Sequence, residues 1–291
     1  MDIGSKLGIG RPLIAAAVSS LIALRSWRHK SLSTSGALAG LMLLTISLTA
    51  GPRFGAVILA FFFSSSQLTK YRSDVKKSID EDFKAGGQRD WSQVLANALV
   101  GTLLSLGVAV STGWQDTCLD SQRAPLVTAM LAGVLGHYAC CNGDTWSSEL
   151  GVLSKIQPRL ITSFKPVPRG TNGGVSVLGT AAAAAGGTFI GLVFVLVGLF
   201  STRCEGPVWG MQWLALPLGT LCGLLGSVLD SFLGATVQFS GNCVVRKKVV
   251  GKPGPTVQRI AGHDLMSNTG VNFVSALVIA LASATASLYL F

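Results

Sequence analysis

Long uninterrupted apolar runs alternate with short polar, cation-rich stretches along most of this 291-residue chain. The runs fall at about residues 8–24, 33–50, 54–68, 94–111, 125–141, 175–200, 209–237 and 265–291. Each lies near the roughly 20 residues that a helix needs to cross a bilayer, although 54–68 is short enough to be re-entrant. Continuity of the runs, rather than alternation, excludes a closed barrel. The pattern therefore predicts an all-α, polytopic transmembrane helix bundle. It forms one domain over residues 1–291 with about eight spans, seven to nine. Its cytosolic loops are expected at about 25–32, 69–93, 142–174 and 238–264.

Composition agrees. The chain is 49% hydrophobic and 12% charged, with a mean hydropathy of +0.54, whereas soluble domains carry about 25% charged residues. Its 35 glycines suit close helix–helix approach in lipid. A soluble two-domain enzyme is excluded on these grounds.

Charge sorts the loops. Eighteen cations fall in four of them: Arg25, Arg28 and Lys30; Lys70, Arg72, Lys76, Lys77, Lys84 and Arg89; Lys155, Arg159, Lys165 and Arg169; Arg246, Lys247, Lys248, Lys252 and Arg259. The opposite side holds five, Lys6, Arg11, Arg53, Arg123 and Arg203, which accounts for all 23. Positive charge concentrates on the cytosolic side of membrane proteins, so the basic loops are expected there and both termini on the far side. The net charge of +10 then has two readings, topology alone or phosphate binding. No basic stripe with interleaved aromatics points to nucleic acid.

The six cysteines show no zinc-type spacing. Cys140 and Cys141 read as small buried hydrophobes. Cys118 and Cys204 fall in short loops of the far side and can pair if that side is oxidising. Residues 1–24 have no small-residue cleavage site and are not Ser- and Arg-rich, so the first run is expected to be a retained span rather than a plastid presequence. An endomembrane or the plasma membrane is therefore the expected location.

The polar stretch at 141–174 concentrates what a bilayer core cannot hold: Asp144, Glu149, Lys155, Arg159, Lys165, Arg169 and a turn with Gly170, Gly173 and Gly174. Other polar groups fall at the same predicted side, among them Gln93, Asn97, His137, Asn142, Asp230, His263, Asp264, Asn268 and Asn272. Ionisable groups beside spans face a polar cavity or a partner. On a helix, Asp264, Asn268 and Asn272 would share one face, while Asp144 would point inward and Glu149 sideways if the fifth span continues past Gly143. Carboxylates beside phosphate suit Mg²⁺, and glycine-rich turns present N–H groups to anions. The expected metal ligands are Asp144, Glu149, Asp230 and Asp264. Phosphate contacts are expected from Arg169, Gly170, Asn172, Gly173, Gly174 and Asn268, and the catalytic set from Asp144, Asp230 and Lys165. An alternative reading is a snorkelling basic rim beside an ordinary turn. No Walker P-loop, GxSxG elbow or HExxH pair occurs. Asp144-Thr145-Trp146 and Asp230-Ser231-Phe232 are both acid, hydroxyl, aromatic, a weak trace of duplication.

The segments GDTWSSELG (143–151), KPVPRGTNGGVSVLG (165–179), LDSFLGATVQ (229–238) and GHDLMSNTGVN (262–272), with QRDWSQVLAN (88–97), resemble the transmembrane protein 19 family, also called the domain of unknown function 92 family. The resemblance runs over nearly the whole chain. It implies a multi-pass membrane protein. One plant branch of that family is a plastid phytyl-phosphate kinase, and a short plant branch is linked to glucose response. The family is also distantly similar to CTP-dependent polyprenol and dolichol kinases. The resemblance thus implies an isoprenyl monophosphate substrate among membrane lipids, with Mg²⁺ and a nucleoside triphosphate, CTP favoured, as co-substrate. Three classes remain open: a lipid-phosphate kinase, a non-catalytic sugar-signalling component docking through residues 70–91 with Phe83, and a transporter.

Overall fold

A computed structural model describes residue 8 and residues 10–79 and 87–291. Lys6, Phe83 and Lys84, and with them the middle of the 70–91 loop, lie outside the described residues.

Helices occupy all eight apolar runs. They are α1 (Gly10–Arg28), α2 (Thr34–Ala50), α3 (Pro52–Lys70), then a short α4 (Ser73–Ile79), α5 (Trp91–Ser111), α6 (Pro125–Gly151), α7 (Val177–Ser201), a short α8 (Pro207–Met211) leading through one 3₁₀ turn into α9 (Ala215–Val237), and α10 (Asn268–Leu290). Local signals set the starts. Pro52 and Pro125 open α3 and α6, where proline's missing N–H costs nothing. Ser176 and Ser267 cap α7 and α10, and Asp90 with Gln93 forms a capping box at α5. Among the described residues, five helices are long and apolar enough to cross a bilayer: α5, α6, α7, α8 with α9, and α10. Of the rest, α2 is shorter, α1 carries Arg11, Arg25 and Arg28, and α3 is interrupted by Arg53 and Ser64–Ser66.

Two departures from the sequence expectation concern the loops. The polar stretch at 142–174 is helical as far as Gly151, because α6 runs on past the apolar run. Strands also join the helices. β1 (Arg159–Leu160) pairs antiparallel with β2 (Gly174–Val175), and β3 (Ser240–Cys243) lies between β4 (Lys248–Val250) and β5 (Val257–Ala261) in an antiparallel sheet. The 238–264 loop is thus a small folded unit rather than a tether.

The helices alternate in direction, so the basic loops gather at one end. The opposite end is clamped around Arg53, which is only 2% exposed. Its guanidinium donates to Asp116 Oδ2 (3.2 Å) and to the Thr117 carbonyl (3.1 Å) and lies over the Phe194 ring. Asp116 also accepts from Ser201 Oγ. Cys118 and Cys204 are joined in a disulfide, and Ser121 bonds the carbonyl of Phe291. The start of α1 lies at this end too, where Arg11 donates to the Trp114 carbonyl (2.9 Å), as does the chain's last residue, Phe291.

At the centre, α6, α7 and α9 approach backbone to backbone. A Cβ added at Gly143 would lie 2.7 Å from Gly223 Cα, one at Gly186 would lie 3.0 Å from Gly143 Cα, and one at Gly223 would lie 2.7 Å from Gly187 Cα. Gly187 and Gly191 on α7 face Gly219 and Gly223 on α9, a small-xxx-small crossing on both partners. Asn142 completes the junction. Its Nδ2 donates to the Gly186 carbonyl (2.8 Å), and its Oδ1 accepts from Ser64 and Ser65 of α3.

Two outcomes are expected. Gly223→Leu should destabilise the bundle by about 3 kcal/mol or more through overpacking, whereas Gly210→Leu, which meets open space, should stay near wild type; thermal unfolding in detergent distinguishes them. Alkylation should add mass at Cys118 and Cys204 only after reduction.

Candidate functional site

Three helical stripes meet at the basic end. Extension of α6 past Gly143 puts Asp144, Ser147, Ser148 and Gly151 on one face, at i, i+3, i+4 and i+7. On α9, Asp230 and Gly234 lie four residues apart, with Gln238 just past the helix end, and on α10 Asn268 and Asn272 are likewise four apart. All of these line one polar cavity of about 230 Å³. Asp144 and Asp230 are half-buried there, close enough to interact electrostatically. Asp230 Oδ2 accepts from Ser275 Oγ (3.4 Å). With its amide turned to satisfy both neighbours, Asn272 donates to Asp230 Oδ2 (3.2 Å) and to the Asn268 carbonyl (3.0 Å).

The glycine-rich turn closes the cavity from the side. Gly170 and Gly173 have φ of +85° and +76°, a region that only glycine enters at no cost. Gly173 also lies so close to Ser231 and Ala235 of α9 that no Cβ fits. Three of the turn's N–H groups are committed internally: Thr171 to the Pro168 carbonyl, Asn172 to Ser240 Oγ and Gly174 to the Thr171 carbonyl. The Asn172 side-chain amide donates to the Phe239 carbonyl (3.1 Å). Asn172 is therefore a brace between the turn and β3, and the expected open row of N–H groups is largely spent. Arg169 lines the cavity while donating to the Lys155 carbonyl (3.2 Å).

The structure thus brings together Asp144, Asp230, Arg169, Gly170, Asn172, Gly173, Gly174 and Asn268. It does not bring in three of the expected residues. Glu149 points sideways and is held by Thr69 Oγ1 (2.5 Å) and Lys76 Nζ (2.6 Å). Lys76 is itself buried and also donates to the Leu68 carbonyl (2.6 Å). Asp264 lies ahead of α10, exposed, because that helix begins only at Asn268, so it does not share the Asn268–Asn272 face. Lys165 is exposed outside the cavity, directly before Pro166, the β-bridge partner of Arg159. Among the described residues, no three Asp, Glu, His or Cys side chains converge as a metal site, so the four-carboxylate cluster is reduced to a pair. Of the other polar groups singled out, His137 is fully buried against the Asn97 carbonyl (3.1 Å) and Asn142 is structural.

Sequence reasoning missed Ser147, Ser148, Ser176, Ser231, Gln238 and the role of Asn272, all of which line the cavity. Ser147 and Ser148, at i+3 and i+4 from Asp144, would have emerged once α6 was extended, and Asn272 lies at i+4 from Asn268; Ser176, Ser231 and Gln238 carry no such spacing signal. The remaining donors are carboxylates, hydroxyls and amides. Hard oxygen donors of this kind suit Mg²⁺ rather than zinc or copper.

Comparisons agree with the architecture. Residues 17–280 match the family described as integral membrane protein DUF92. The chain is 55% identical to Protein PGR of Arabidopsis thaliana over 97% of its own length and 98% of that protein. It is 26% identical to an uncharacterized membrane protein of Methanocaldococcus jannaschii over 83% of its length and 89% of that protein. It is also 27% identical to Protein VTE6, chloroplastic, of Arabidopsis thaliana over 71% of its length and 56% of that protein. No solved structure matches. The chain belongs to the DUF92 family of integral membrane proteins.

Glu149 and Lys76 are both largely shielded from solvent. Glu149→Ala should therefore strand a buried cation and cost about 3 kcal/mol. Adding Lys76→Met should recover much of that loss. Thermal unfolding of the single and double variants measures the coupling.

Proposed function

We propose that this membrane protein transfers a phosphoryl group to a lipid phosphate, an isoprenyl monophosphate being the favoured acceptor, at the cavity between α6, α9 and α10. The supporting observation is the pairing of Asp144 and Asp230 on separate helices, with Arg169 and the Gly170–Gly174 turn beside them, in one polar cavity at the basic end. The family resemblance to a phytyl-phosphate kinase branch supplies the reaction class.

On this reading, Asp144 and Asp230 would hold Mg²⁺, which would supply neutralisation of the phosphate charge. Arg169 attracts and orients the phosphates, and Asn272 and Ser275 fix the Asp230 carboxylate. The nucleoside triphosphate, CTP favoured, enters from the basic, cytosolic side. The lipid tail stays among the helices with its head at the cavity. Phosphoryl transfer depends mainly on positioning and electrostatics, which is what such a cavity supplies. Lys165 is assigned no role, because it lies outside.

A second reading, a non-catalytic component of glucose response, draws on the near full-length identity to Protein PGR. The polar groups lie at one end rather than at the midplane, where transporter sites sit, so a transporter is not favoured.

Asp144→Asn should lower transfer to an isoprenyl monophosphate, assayed with CTP and with ATP, by at least about a hundredfold, with membrane insertion unchanged. Wild-type protein that transfers to no isoprenyl monophosphate with either nucleotide would sink the kinase reading. A sugar-response phenotype that survives Asp144→Asn would favour the second.

A further inference from the structure

A second cavity lies in the other half of the bundle, among α1, α2, α3 and α5. It measures about 70 Å³, and its walls are almost wholly apolar, including Ile22, Leu43, Leu44 and Ile58. Its polar groups gather mainly at one end, where Arg89, Gln93 and Asn97 stand, with the buried hydroxyl of Ser19 alone deeper in the wall. That end is the basic end, because Arg89 lies just before α5 and Lys70 closes α3 beside it. Leu43 and Leu44 lie nine or ten residues into α2, so the cavity reaches about 15 Å inward. That is roughly half the hydrocarbon thickness of a bilayer.

Arg89 is held in an unusual way for a cation at such a place. Its backbone is fixed by exchange of hydrogen bonds with Ser31 and Ser33 (3.1 and 3.0 Å). Its guanidinium donates to Ser66 Oγ (2.9 Å) and lies over the Phe62 ring, 5.9 Å from the centroid. Among the described residues, no carboxylate forms an ion pair with it. The charge of Glu149 reaches it, but both Glu149 oxygens are already engaged by Thr69 and Lys76. A guanidinium has five donors in a planar fork that matches phosphate, and among the described residues only Ser66 accepts from this one. Burial works against its charge.

We infer that this cavity binds one anionic bilayer phospholipid, its phosphate on Arg89 and Gln93 and one acyl chain between α1, α2, α3 and α5. Charge complementarity at the mouth selects the headgroup. The apolar walls and depth accept a chain oriented as in the adjoining leaflet. The site is separate from the Asp144–Asp230 cavity and does not rest on the phosphotransfer reading.

The test reads binding without turnover. The full chain, delipidated in detergent, is titrated with phosphatidylglycerol or phosphatidylcholine and examined by native mass spectrometry. Wild type should take up one phosphatidylglycerol with at least about a tenfold preference over phosphatidylcholine, equivalent to 1.4 kcal/mol. Arg89→Gln should abolish the preference. Gly40→Leu fills the cavity from α2, where there is room for the first carbon, and should reduce uptake of both lipids. Equal uptake of the two lipids by wild type, or no uptake, overturns the inference. So does an Arg89→Gln protein that keeps the preference, or a Gly40→Leu protein that binds as wild type. If Arg89→Gln does not fold, the wild-type preference and the Gly40→Leu loss decide.

Discussion

Everything at the basic end depends on how closely three helices approach one another. Gly143, Gly186, Gly187, Gly219 and Gly223 remove the side chains that would otherwise hold α6, α7 and α9 apart. In a bilayer, where lipid is as apolar as leucine, such contact supplies packing that burial alone does not. Asp144 follows directly on Gly143, and Asp230 lies two turns beyond Gly223 on the same face of α9. Their meeting is a geometric result of that crossing. Asn142, one residue before Gly143, ties the same junction to α3 through Ser64 and Ser65. Cavity and crossing are thus one construction.

The two ends of the molecule are built from different materials. At one end, a buried Arg53–Asp116 pair, a disulfide and a contact with the chain's last residue join α3, α7, α10 and their connections. At the basic end, polar hydrogen bonds, one shielded ion pair and small sheets do the joining. Gly173 shows the precision required there. It needs both a positive φ and the absence of a side chain against α9, so the turn can lie on the helix that carries Asp230.

Much of this was legible in the sequence because bilayers leave plain marks. Apolar runs located every long helix, and the segregation of cations assigned the ends. The carboxylates Asp144 and Asp230 were legible because ionisable groups at span ends need a reason. Direction was legible only in part: a fifth span running past Gly143 already put Asp144 inward and Glu149 sideways, but where that span stops was not marked. Glu149 and Asp264 look like further ligands, but five residues beyond Asp144 the α6 helix has turned Glu149 toward Thr69 and Lys76, and Asp264 precedes its helix. The serines of α6 and the brace role of Asn172 were hidden for a related reason. The polar stretch gives no apolar period to mark where the helix stops, and hydrogen bonds between residues 172 and 240 are invisible to local patterns.

The disulfide between Cys118 and Cys204 has a mechanical consequence. It staples the connection before α6 to the connection after α7, eighty-six residues apart, at the end remote from the cavity. Two neighbouring rods riveted at one tip and pressed backbone to backbone at Gly143 and Gly186 are held at two points along their length. The crossing that carries Asp144 is thus anchored from the far end by a covalent bond.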